Sequence, residues 1–179
     1  MSSTLSLVSE LERMARAIEA DDPGPAPPSL PAIVENIARI IGVRNEEVAI
    51  LAVSTKWKHL HFLVPEALRN VGFIPLSSNS ALAAKTVREI RPDIDNNFSA
   101  ARHANIFENI KLAGESTAPI QKIISARILQ DGKVIGVIQV SRKGTTPAAA
   151  GPDFTAKHLG NLLALSKPLA KFVHRAAGD

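Results

Sequence analysis

At 179 residues, with 45% hydrophobic and 21% charged residues, the chain suits one globular domain with appendages and a sizeable core. Its formal net charge of +4 comes from scattered Lys and Arg, and aromatics are only 4%, with one Trp and no Tyr. A nucleic-acid stacking surface and a membrane-tethering patch are therefore not expected. No cysteine is present, which removes disulfides, thiolate metal sites, cysteine nucleophiles and thiol-linked chromophores together. The opening MSSTLSLVSELERM lacks the basic start and apolar core of a signal peptide. No apolar run approaches the roughly 20 residues that cross a bilayer. A cytoplasmic location is the expectation.

From about Leu5 to Ala20 the apolar residues Leu7, Leu11, Met14 and Ile18 recur at helical a/d spacing. Two heptads are too short to be stable alone. This helix either packs on its own domain or pairs with a second copy. Asp21 to Pro31 holds five prolines, which forbid a helix and favour an extended spacer. Residues 1–30 are thus read as an N-terminal helix plus linker, and 31–179 as a single domain. A second helix opens at Pro31, with Ile33, Val34, Ile37, Ile40 and Ile41 on one face and Gly42 as its C-terminal cap.

Glu47–Ser54 reads as a buried strand, and Lys58–Val64 as its neighbour, ended by Pro65. Val71–Leu76 is interrupted by proline and reads as an edge strand or extended loop. A helix follows over Ala81–Ile90, stopped by Arg91-Pro92. Asp93 to Asn105 is polar and irregular, and Ile106–Leu112 is ambiguous between strand and helix.

Ile120 to Lys143 carries two apolar, β-branched runs around Asp131-Gly132, a strong hairpin signal. A strict two-residue turn pairs Gln130 with Lys133, Leu129 with Val134, Ile128 with Ile135, Arg127 with Gly136, Ala126 with Val137 and Ile124 with Gln139. Both faces are largely apolar, so the hairpin belongs at the centre of a sheet covered on both sides. The face with Ile124, Ala126, Ile128, Ile135 and Val137 has the composition to lie under helices. After a small-residue loop, Asp153 is expected to cap a long final helix, with Pro168 bending it or ending its regular part.

The order is helix, two strands, helix, polar segment, hairpin, final helix. It resembles a GAF domain, a small-molecule sensor module related to PAS domains. Lys122-Ile123-Ile124-Ser125-Ala126 followed by Asp131-Gly132-Lys133-Val134-Ile135-Gly136-Val137-Ile138 looks like that family's paired core strands. Ser80-Ala81-Leu82-Ala83-Ala84 resembles its frequent glycine-rich helix start, and Asp153-Phe154 its last helix. The resemblance runs from about Pro31 to Val173. It implies an α+β fold: a central antiparallel sheet of five to six strands, with N- and C-terminal helices on one face and a ligand pocket on the other. The Asn-Lys-Phe-Asp-Glu signature of cyclic-nucleotide-binding members is not found, because Asn97-Phe98 lacks the partners. Bilin-attaching and methionine-sulfoxide-reducing members need cysteines, so no covalent bilin or other cofactor is expected. Arg127 stands where many members have an apolar residue or proline.

Asn96, Asn97, Arg102, His103, Asn105 and Glu108 crowd the polar segment, with Phe98 and Phe107 among them. Polar groups interleaved with rings suit a pocket wall, and equally a solvated loop. Opposite Gly136, Arg127 and the Ser125 hydroxyl would have room for an anionic or carbonyl-bearing ligand. The other reading pairs Arg127 with Glu108 or Glu115. The candidate ligand-binding residues are Arg127, Ser125, Asn97, His103, Phe107 and Glu108. His59 and His61 share a strand face, and His103 would be their obvious third partner, but exposed strand histidines are far commoner than zinc sites. No metal is assigned. With no phosphate loop, nucleophile elbow or metalloprotease motif, a non-enzyme is expected. The reading is a sensory module that binds an unknown small molecule, dimerises through its terminal helices and passes its signal to an output protein. The alternative is a homodimeric structural or interaction module with a closed pocket.

Overall fold

The computed structural model describes residues 3–20, 28–70, 72–98 and 118–178. Most of the proline-rich linker and the stretch Ile106–Leu112 lie outside them. The elements are α1 (Thr4–Glu19), α2 (Leu30–Ile41), β1 (Val48–Ser54), β2 (His59–Val64), β3 (Phe73–Pro75), α3 (Leu82–Glu89), β4 (Asp93–Asp95), β5 (Ile120–Gln130), β6 (Lys133–Lys143), α4 (Pro147–Ala150) and α5 (Ala156–Ala177). The six strands form one antiparallel sheet in the order β3-β2-β1-β6-β5-β4. This is the α+β architecture expected from the sequence. The polar stretch after Pro92, read as irregular, contributes the short edge strand β4, because its backbone pairs Asp93 with Ser125 and Asp95 with Ile123.

β5 and β6 form the long hairpin at the centre. Asp131 (φ 51°) and Gly132 (φ 79°) both adopt the left-handed conformation that a tight two-residue hairpin turn requires. Pairing begins as the sequence implies, Gln130 with Lys133 and Leu129 with Val134. Ile135 is then an extra residue, a β-bulge, and the pairs from Ile128–Gly136 to Lys122–Arg142 shift by one, so that Arg127 faces Val137 and Ala126 faces Ile138; a second irregularity restores the register at Ile120–Lys143. The expected Arg127–Gly136 pair does not form. Because side chains alternate with period two, the shift also moves Val137 to the opposite face from the one expected.

Under the terminal helices lie Ile124, Ala126, Ile128, Ile138 and Val140, joined by Ile50 and Ala52 of β1. The other face gathers Leu51, Leu60, Phe62, Ile74 and Val137 beneath Ala81, Ala83 and Ala84 of the α3 segment. Gly136 is on the first face, and its missing side chain is needed there. A Cβ would sit 2.6 Å from the Leu51 carbonyl oxygen and 3.3 Å from Val173. The glycine admits a neighbouring backbone rather than a ligand.

The helical layer holds α1, α2 and α5. Leu7, Leu11 and Ala15 of α1 are buried, Met14 and Ile18 pack against the same core, and Glu19 pairs with Lys171 of α5 at 2.6 Å. The a/d seam is therefore used within the chain. Ser29 caps α2 by accepting from the Ala32 amide, and Gly42 ends it at φ 84°. Thr155, not Asp153, caps α5, and Asp153 instead pairs with the buried Lys122 at 2.8 Å. The helix continues past Pro168, which is buried, to Ala177. Glu47 fastens the approach to β1: its carboxylate accepts from the Arg44 amide, the Arg44 Nε and the Lys143 amide.

Three expectations follow. Gly136→Ala should lose about 1–3 kcal/mol in urea unfolding, since the added methyl meets backbone that cannot easily yield. Leu11→Ala should lose about 2–4 kcal/mol, because α1 belongs to the core; a loss near zero would show that α1 is dispensable. The third concerns His158, whose Nδ1 accepts from the Thr155 amide at 2.9 Å. Burial, then Arg142 and Lys157, hold its pKa below the usual 6.5. A lowered pKa means that the folded state prefers the neutral ring. The stabilisation is complete above pH 6.5 and is lost as pH falls through the folded value. Unfolding midpoints measured from about pH 7.5 to 5 should fall more in the native chain than in His158→Gln.

Candidate functional site

The interior of β5 carries the two candidate residues that the structure brings together. Ser125 and Arg127 are two apart and so share the face beneath α3. Ser125 is fully buried. Thr86 of α3 donates its hydroxyl proton to the Leu82 carbonyl at 2.9 Å, an i−4 bond available to a mid-helix threonine. It must therefore accept from Ser125, whose Oγ lies 2.7 Å away. Ser125 in turn accepts from Gln139 Nε2 at 3.2 Å. This directed chain, Gln139 to Ser125 to Thr86 to Leu82, ties α3 to the sheet and uses the Ser125 proton. Thr86 and Gln139 were not singled out from sequence. The available signal was a threonine on the apolar face of a short helix.

Arg127 differs from its neighbours. The residue is partly buried, and its Nε and Nη1 are buried with no hydrogen-bond partner among the described residues. Across from it lies Val137, with Leu51 beyond, both fully buried. Charges along the adjacent edge are matched: Lys85 with Asp93 at 3.7 Å, and Arg91 with Glu89 at 2.9 Å. A crevice between α3 and β4, lined by Leu82, Lys85, Thr86, Glu89, Arg91 and Asp93, is too tight to admit water.

Asn97 does not join this pair. It is exposed, and its amide donates to Asp95 Oδ1 at 2.9 Å. It lies in the turn beyond β4, whose last residue Asp95 pairs with Ile123, already four residues along β5 from Arg127. Its neighbour Asn96 clamps the start of the last helix, donating to the Phe154 carbonyl and accepting from the Phe154 amide. His103, Phe107 and Glu108 lie outside the described residues, as do Arg102, Asn105 and Glu115. His59 and His61 lie with ring centroids 5.9 Å apart, and His59 also contacts the half-exposed Phe73. Among the described residues no three His, Cys, Asp or Glu side chains gather as a metal site. None of their helices is long and apolar enough to cross a membrane.

A second concavity lies on the helical side, a groove of about 710 Å³ where the ends of α1, α2 and α5 meet. Leu5, Arg39, Ile40, Lys157, His158 and Asn161 are among its lining residues.

No family model matches the sequence, and no curated protein matches it. Solved structures do resemble its fold. The GAF domain of an Acinetobacter phosphoenolpyruvate-protein phosphotransferase superposes with a TM-score of 0.65 at 18% identity, covering 97% of this chain and 93% of that one. Residues 122 to 287 of a methyl-accepting chemotaxis protein give 0.62 at 14%, covering 95% and 96%. The free methionine-R-sulfoxide reductase of Neisseria meningitidis, in complex with its substrate, gives 0.57 at 16%, covering 97% and 90%. The last likeness corrects the expectation of a non-enzyme. The same fold carries an enzyme, and a scaffold does not decide whether the side chains placed on it react. At these identities the likeness concerns architecture, and the sheet order and helix layers agree with it: the chain has the GAF-domain fold.

Proposed function

We propose that the chain is a sensory module that binds a small molecule on the α3 face of its sheet. The supporting observation is Arg127, a cation on that face with two buried nitrogens lacking partners among the described residues. Buried polar groups normally find hydrogen bonds, and one that lacks them in a fold with sensory examples is a natural ligand contact. Ser125 shares that face, and His103, Phe107 and Glu108, which lie outside the described residues, complete the proposed ligand-contacting set; Asn97, exposed beyond β4, does not belong to it. The signal would leave through the helical layer, because α5 packs on the same sheet from behind.

The second reading is an interaction module that works as a homodimer through its terminal helices. Two observations favour it. The α3–β4 crevice is too tight for water, and Leu5 is 77% exposed beside the helical groove.

Thermal unfolding against a panel of metabolites and nucleotides tests the first reading. A true ligand at a hundred times its Kd adds about 2.7 kcal/mol, a midpoint shift of several degrees. Silence across a broad panel counts against it. Light scattering of the native chain and Leu5→Asp tests the second. Because Leu5 is exposed, the substitution should leave the fold intact and halve the mass if the helical face forms a dimer.

A further inference from the structure

We infer that the groove where the ends of α1, α2 and α5 meet is a second binding site, for an amphiphilic anion: a carboxylate or phosphate head on a short hydrocarbon tail. The groove belongs to the helical layer, on the opposite side of the sheet from α3. The inference therefore stands apart from the reading proposed for Arg127. Three observations converge on it. First, the space is open. Its volume of about 710 Å³ falls within the range of small-molecule sites, roughly 300–1,000 Å³. Second, its charge has one sign. Arg39 from the last turn of α2 and Lys157 from the first turn of α5 are both exposed and line it, and neither forms an ion pair among the described residues. No carboxylate is among the lining residues, and the first turns of α1 and α5 carry none. His158, half-buried on the wall, registers this field: after burial, Arg142 and Lys157 hold its pKa below the usual 6.5. Arg142 is itself buried and stacks on Phe154, whose ring meets that of His158 at 5.7 Å. An oxyanion in the groove supplies the missing counter-charge and accepts hydrogen bonds from the cations. Third, the same groove has apolar contacts to offer. Leu5 is 77% exposed and Ile40 is half-buried, and both line it. A bare inorganic anion leaves these side chains wet, and a neutral hydrocarbon leaves the cations without acceptors. A molecule with both parts meets each wall with the matching chemistry.

The test titrates the native chain with octyl phosphate and octanoate below their micelle concentrations. Their hexyl and butyl homologues, octanol and inorganic phosphate serve as comparators at matched ionic strength. Thermal unfolding is read together with the His158 imidazole resonance, identified through His158→Gln. At least one octyl anion should raise the midpoint by several degrees and shift that resonance. Affinity should fall roughly two- to fourfold for each methylene removed. Arg39→Gln/Lys157→Gln changes two exposed positions, so its ligand-free midpoint should stay within about 2 °C of native while the response is lost. Lys133→Gln/Lys167→Gln removes the same charge at exposed positions elsewhere and should keep the response. Inaction of every octyl anion overturns the inference. So does a response that octanol reproduces, that inorganic phosphate matches, or that survives the loss of Arg39 and Lys157. A response lost in Arg127→Met but kept in the Arg39/Lys157 variant belongs to the α3 face; it overturns this inference and leaves the sensory reading standing. Twice the chain mass in light scattering, with no response to any anion, assigns the groove to a second copy and overturns it as well.

Discussion

Both faces of β5 and β6 are shut off from water, and the rest of the molecule is arranged to do that. Ile124, Ala126, Ile128, Ile138 and Val140 need one apolar layer, and Val137 with its β1 neighbour Leu51 needs another. A sheet with two apolar faces is stable only between two layers. α2 and α5, with α1 against α5, supply the first, and α3 supplies part of the second. The hairpin thus decides where the helices go, and their amphipathic faces fit it.

The bulge at Ile135 is the small irregularity with the largest consequence. One extra residue moves Gly136 beneath the terminal helices, against the Leu51 carbonyl, and sets Val137 beside Arg127. A glycine that reads as empty space in the strand pattern becomes a contact between backbones. An arginine that reads as bordering a void instead borders an apolar wall. The chemistry available on the α3 face follows from that single residue of slippage.

The polar groups inside the fold mostly close on themselves. Glu47 gathers three donors, Lys122 reaches the Gly151 carbonyl and Asp153, and Arg142 donates to the Gly42 carbonyl and stacks over Phe154. These bonds tie strand ends to helix ends, where orphan carbonyls and amides concentrate. Arg127 has two buried nitrogens without partners among the described residues where Arg142, otherwise bonded to Gly42 and stacked on Phe154, has one, which is why the binding role is proposed for Arg127.

Much of this was written in local sequence. Asp131-Gly132 determined the turn, because left-handed conformations are cheap there. The spacing of Ile33, Val34, Ile37 and Ile41 determined the buried face of α2, and Gly42 its end. Local rules reach only as far as neighbouring residues. They could not place the bulge, which depends on how β6 meets β1 and α5. Nor could they convert Asp93–Asp95 into a strand, since that segment gains its pairing only from β5. The cap of α5 moved from Asp153 to Thr155 because Lys122, distant in sequence, claims the aspartate. Sequence alone determined that two helical layers enclose a central hairpin. Tertiary structure alone decided which side chains meet on each face, because a one-residue shift inverts the period-two pattern, and only long-range packing selects the shift.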